Sequence, residues 1–116
     1  MTIGEAIQKL IPKPEETLER FSGNQELMEM FIKKFPEDAT IQAVKDSCQT
    51  EDWDRILTDV HTLKGTSGNF GFDALFNACS QVVTAIRAKD FDGARAGIPN
   101  VLAELDTVCG VLAQVE

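Results

Sequence analysis

Near the C-terminus Ala94, Ile98, Val101, Leu105, Val108, Leu112 and Val115 recur at alternating four- and three-residue steps. Such spacing fits a helix with one buried seam, and that seam needs other helices to cover it. The rest of the chain repeats the pattern and shows no sustained period-two alternation of the kind strands require. A long helix is predicted from near Asn24, with Leu27, Met30, Phe31, Lys34, Ile41, Val44 and Cys48 in one register across a kink or short break at Pro36. A second begins after a cap at Thr50 or Glu51 and carries Trp53, Ile56, Leu57, Val60, Leu63 and Phe70, with Gly68 and Gly71 bracketing its end. A third, from Phe72 to about Lys89, places Phe72, Leu75, Phe76, Cys79, Val82, Val83 and Ile86 inward, and Asp90 to Gly93 reads as a turn before the last helix. Gly97 and Pro99 weaken the first turns of that last helix. Two short accessory helices, Thr2 to Ile11 and Glu15 to Phe21, precede these, divided by Pro12 and Pro14. Four long amphipathic helices with short connections predict an all-α, up-down-up-down four-helix bundle over about 24–115, within a single domain spanning 1–116.

Composition narrows what such a bundle does. A net charge of −8 argues against a nucleic-acid partner, which usually leaves a basic stripe. Cys48, Cys79 and Cys109 form no CxxC pair and have no histidine nearby, so buried, reduced thiols are expected, with no metal site and no disulfide. No apolar stretch is long enough for a signal peptide or a membrane span, and a cytoplasmic location is expected. Phe21, Phe31, Phe35, Phe70, Phe72 and Phe76 are expected mainly in the core, and packing is the expected role of Leu27, Met28 and Met30.

The only histidine, His61, falls in the second long helix. With His61 at zero and about 100° per residue, Ile56, Leu63 and Phe70 lie at roughly 180–220° and Val60 and Trp53 at roughly 260–280°. The imidazole therefore points away from the core. Lys64, Gly65 and Gly68 follow it on the outward stripe, a cation and two residues without side chains. Glycine inside a helix costs up to about 1 kcal/mol against alanine, so two on one stripe suggest clearance for an approaching molecule. Asp54 and Asp59 sit on other faces of the helix, and no base, metal cluster or nucleotide loop accompanies the histidine. An exposed imidazole without an activating partner is a poor enzyme but a serviceable carrier: it offers a nucleophilic nitrogen, and another protein must bring the activated group.

His61, Leu63, Lys64, Gly65, Ser67 and Gly71, followed by Leu75 and Cys79, resemble the signature of histidine-containing phosphotransfer (HPt) domains, H-x-L-K-G-x-S-x-x-x-G. The stretch SGNFGF from Ser67 to Phe72 is also similar to the phosphotransfer domain of chemotaxis histidine kinases, and LERFSGNQELMEMFIKKF resembles the segment leading into the family's first bundle helix. The resemblance implies a phosphorelay intermediate of two-component signal transduction. His61 would be the phospho-acceptor, through Nε2, with Lys64 facing the phosphate and Gly65 and Gly68 giving a partner room. Leu63, Ser67 and Gly71 would serve packing, since the helical angle of Ser67 puts it among core residues. The sequence departs from the pattern at Val83, 22 residues after the histidine, where many members carry a Gln or Glu that contacts the imidazole; Gln81 and Thr84 are the nearby polar residues.

The partners so implied are a response-regulator receiver domain and a histidine kinase or hybrid kinase. The chain would need no cofactor of its own, Mg²⁺ coming with the partner's receiver domain, and would act as a monomeric carrier without independent turnover. The alternatives are an HPt-like docking or inhibitory module that carries no phosphate, and the excised phosphotransfer domain of a chemotaxis-type kinase. The start at Met1 and a last helix running to Glu116 favour a free-standing protein over an excised domain.

Overall fold

The computed structural model describes all 116 residues, which form seven α-helices and no strand. In chain order these are α1 (Ile3–Leu10), α2 (Pro14–Arg20), α3 (Gln25–Lys34), α4 (Ala39–Ser47), α5 (Trp53–Phe70), α6 (Asp73–Arg87) and α7 (Phe91–Leu112). The three longest are consecutive. α5 packs on α6 and α4, α6 packs on α7, and α1 lies against α7 and α3. One core of 23 buried apolar residues runs through them, filled by Met28, Ile32, Ile56, Leu63, Phe72, Leu75 and Leu105 among others. The chain ends meet: Glu116 N–H donates to Met1 O at 3.0 Å, and the Met1 ammonium to Gln114 O at 3.0 Å.

Pro36 does more than kink the first long segment. Phe35–Glu37 is a 3-10 turn and Asp38 is extended, so the phase of α3 is lost before α4 begins. Asp38 then caps α4 by accepting from Thr40 N–H at 2.8 Å. The expected register is therefore wrong in its first half. Met28, Ile32 and Phe35 are buried, whereas Leu27, Met30 and Phe31 are 36%, 44% and 47% exposed and Lys34 is exposed. In the second half Ile41 and Val44 are buried as expected.

Two helix starts also differ from expectation. The cap of α5 is Asp52, whose Oδ1 accepts from Arg55 N–H at 3.2 Å. Thr50 and Glu51 are engaged elsewhere, the hydroxyl of Thr50 with Ser47 O at 2.6 Å and the carboxylate of Glu51 with Arg95 Nε at 2.7 Å. Asp90 to Gly93 is not a turn but the first turn of α7: Asp90 Oδ1 accepts from Gly93 N–H at 2.9 Å, so the helix begins at Phe91 and runs through Gly97 and Pro99. Gly97 is needed there because a Cβ would sit 2.9 Å from Val82 Cγ2 of α6.

The turn between α5 and α6 fixes how these two helices face each other. Phe72 N–H reaches back to Ser67 O at 2.9 Å and Gly71 N–H to Gly68 O at 3.2 Å, a Schellman closure with Gly71 at φ +83°. A side chain on Gly71 would also lie 2.6 Å from Thr17 Oγ1 and 3.0 Å from Ile11 Cγ2, so the accessory segment needs a glycine at that position too. The hydroxyl of Thr17, fully buried, donates to Phe70 O at 2.8 Å, and Arg20 Nη1 donates to Asn69 O at 3.0 Å. Thus α2 caps the last carbonyls of α5 from outside the helix. Phe70 stacks on Phe21 at 6.2 Å and meets Phe35 and Phe72 edge-on or tilted at 6.0 and 5.7 Å.

Candidate functional site

His61 stands in the middle of α5 and is exposed, while Ile56, Val60, Leu63 and Ser67 of the same helix are fully buried. The helix is fixed at both ends. At its start Trp53 stacks on Phe91 of α7 at 5.2 Å, with the Arg95 guanidinium 5.3 Å over the indole. At its end stand the Gly71 closure and the α2 cap. His61 is thus about two turns from either end, on a helix whose rotation is set by its buried stripe.

Side-chain hydrogen bonds along α5 bypass the imidazole. Thr58, Thr62 and Thr66 each donate the hydroxyl to the carbonyl four residues earlier, at 3.1, 2.9 and 3.3 Å. Ser67 donates to Lys64 O at 3.0 Å inside the core, in keeping with a packing role. Over Gly65 there is open space: a Cβ there would meet nothing within 4 Å. Asp59 is drawn toward Arg55, at 3.9 Å on the same helix, and is not an orienting partner for the histidine. Val83, at the position where a polar contact to the imidazole was in question, is buried at 1% exposure and cannot provide one.

Two expected site residues behave differently from a plain outward stripe. Gly68 is only partly open to solvent. Phe76 of α6 fills its place, and a Cβ on Gly68 would fall 3.1 Å from Phe76 Cδ2 and 3.2 Å from Cε2. Its missing side chain therefore serves helix packing, and the clearance argument rests on Gly65. Lys64 is half-buried, with Nζ 5.6 Å from the centroid of the same Phe76 ring and no carboxylate within ion-pairing distance. The sequence reading counted Phe76 as core and missed this contact. A signal was available: the hairpin turns at Gly71–Phe72, and Gly68 and Phe76 are each four residues from Phe72, a small residue set against a large one.

The thiols offer no rival nucleophile. Burial pushes the Cys79 thiol up to about 12, with Cys48 nearby adding to the effect, and burial also raises Cys48 and Cys109. A thiol held protonated is inert. No group of three or more His, Cys, Asp or Glu side chains is placed to hold a metal ion, and no helix is long and apolar enough to cross a membrane.

A family model described as the Hpt domain matches residues 26–113, from the start of α3 to just beyond α7, and includes His61 and all its neighbours on α5 and α6. The chain belongs to the Hpt domain family. That membership ties it to phosphotransfer in two-component signalling and to the kinases and receiver domains of such systems. α1 and α2 lie outside the matched span. No curated protein and no solved structure matches the chain.

Proposed function

We propose that this chain is a phosphorelay intermediate in which His61 reversibly accepts a phosphoryl group from the phospho-aspartate of a receiver domain, or from a histidine or hybrid kinase, and passes it to a receiver domain. The observation that carries this reading is an exposed imidazole on the side of α5 opposite its buried stripe, beside open space at Gly65. In the step from a receiver, the ring nitrogen forms an N–P bond as the aspartyl O–P bond breaks, and the electron pair of that bond stays with the receiver's carboxylate. Mg²⁺ and the acidic pocket belong to the receiver, so this chain supplies only the nucleophile and its surroundings. Lys64 faces the phosphoryl oxygens and offsets their charge, and Gly65 leaves the partner's loops free to reach the ring.

The architecture that suits this role is an up-down-up-down bundle of the α3–α4 segment, α5, α6 and α7 in a single monomeric domain. The short links at Gly71–Phe72 and Ala88–Asp90 support it, since brief connections favour antiparallel neighbours. The experiment is phosphotransfer to the purified chain from a panel of Mg²⁺-loaded phosphorylated receivers and from histidine kinases. The expected product is an acid-labile, base-stable label on the chain, discharged again by an unphosphorylated receiver. Binding without label would move the chain to a docking or inhibitory module. Gly65→Gln should slow transfer with His61 still in place, and unchanged transfer would remove the clearance argument.

A further inference from the structure

We infer that Phe76 is a positioning residue for Lys64: its ring holds the ammonium beside the His61 stripe, ready for the phosphoryl group. This rests on the proposed function of His61 and deepens it. Three observations converge on the ring. It comes from α6, is half-buried, and lies over the notch at Gly68, 3.1 and 3.2 Å from the place a Cβ would occupy, so the absent side chain is what lets the ring sit there. Lys64 Nζ lies 5.6 Å from its centroid, within the reach of a cation–π contact. Lys64 also has no carboxylate partner, although carboxylates outnumber cations in this chain by 19 to 11.

The chemistry explains why a ring suits this place better than an acid. A carboxylate would hold the ammonium through its N–H donors and would have to be displaced by each incoming phosphoryl group. A ring face attracts the charge and leaves N–H donors for phosphoryl oxygens. It also limits the rotamers of a long side chain in advance, so less freedom is lost when the ammonium meets the phosphoryl group in the transfer step itself. α6 thus contributes to the site through Phe76, whereas Val83 is turned into the core and contributes no polar group.

The test compares Phe76→Leu and Phe76→Tyr in the full chain, each with Lys64 intact and with Lys64→Met. Leucine keeps an apolar filler at the Gly68 notch but removes the π face. Transfer from a saturating phosphorylated receiver should fall about two- to five-fold in Phe76→Leu, the size of a partly exposed cation–π contact. The receiver concentration giving half-maximal rate should not change, and Phe76→Tyr should restore the rate. In the Lys64→Met background Phe76→Leu should have no further effect. An equal fall in both backgrounds, or no fall in either, would overturn the inference.

A second readout needs no phosphate. The ring current of Phe76 should shift the Lys64 Cε protons upfield in the wild type and in Phe76→Tyr but not in Phe76→Leu; Lys64 resonances indifferent to all three would also overturn the inference. Because this NMR arm reports the hold alone, a wild type that accepts no label would count against His61 as acceptor, separately from whether the ring holds the cation.

Discussion

The outward face of α5 has two edges that look alike in the sequence and differ in the fold. At Gly65 the missing side chain leaves open space next to His61. At Gly68, three residues on, the missing side chain is filled from α6 by Phe76, and beyond it the helix closes at Gly71 against Thr17 and Ile11. Glycine on a helix surface thus means opposite things at the two places. Where nothing fills the gap, the helix carries a propensity cost that its own packing does not repay. Where a neighbour fills it, the cost is offset by closer helix contact. The contrast puts the accessible part of the proposed site at His61 and Gly65 and makes the Lys64–Gly68 edge its supporting wall.

The sharpest way to break the contrast is at the closed end. Gly71→Ala must adopt φ +83° with a Cβ 2.6 Å from Thr17 Oγ1, and the backbone alone should cost about 1–3 kcal/mol, read as a lower urea midpoint. A value near zero would mean that the α2–α5 junction is not built as described. Thr17→Val leaves Phe70 O without its buried donor and should cost about 1–3 kcal/mol, at the lower end if water reaches the carbonyl.

Behind the closed edge, Cys79 gives a pH signature. Its thiol keeps its proton in the folded chain up to about 12 against an ordinary 9.0. Folding therefore loses no stability from this group below 9.0 and loses it progressively as pH rises from there toward about 12, because only the unfolded chain can ionise. The stability gap between wild type and Cys79→Ala should narrow as the pH is raised past 9.0, and a constant gap would contradict the burial of that thiol.

The smallest effects separate the two glycines directly. Gly65→Ala should stabilise the chain by up to about 1 kcal/mol, since alanine is the better helix former and its Cβ meets nothing. Gly68→Ala gains the same propensity but presses on Phe76, so its melting temperature should lie below that of Gly65→Ala. Equal melting temperatures would erase the distinction between the edges.

These contrasts also mark what the sequence could and could not show. The orientation of His61 was legible because α5 is 18 residues long, carries one apolar stripe and is unbroken, so periodicity had enough turns to define a phase. α3 was not legible in the same way. It is 10 residues long and has apolar residues on two adjacent stripes, Leu27, Met30 and Phe31 against Met28 and Ile32, the latter continued by Phe35 in the 3-10 turn. Carrying the phase of α4 back across Pro36 selected the wrong stripe, since a 3-10 turn and an extended Asp38 break continuity there. Gly68 read as an opening because its filler is on another helix, where only hairpin register about Phe72 could have paired them. The α2 cap left still less trace: one buried threonine hydroxyl and one arginine reaching carbonyls about 50 residues away, at separations of 53 and 49.

The most direct test of the account pairs two readings on wild type and His61→Gln: label accepted from a phosphorylated receiver, and thermal unfolding of the same samples. An exposed acceptor opposite the core predicts full loss of acid-labile label in His61→Gln with an unchanged melting temperature. Label that persists in His61→Gln, or a variant that loses its label only because it has lost its fold, would contradict that placement and that role.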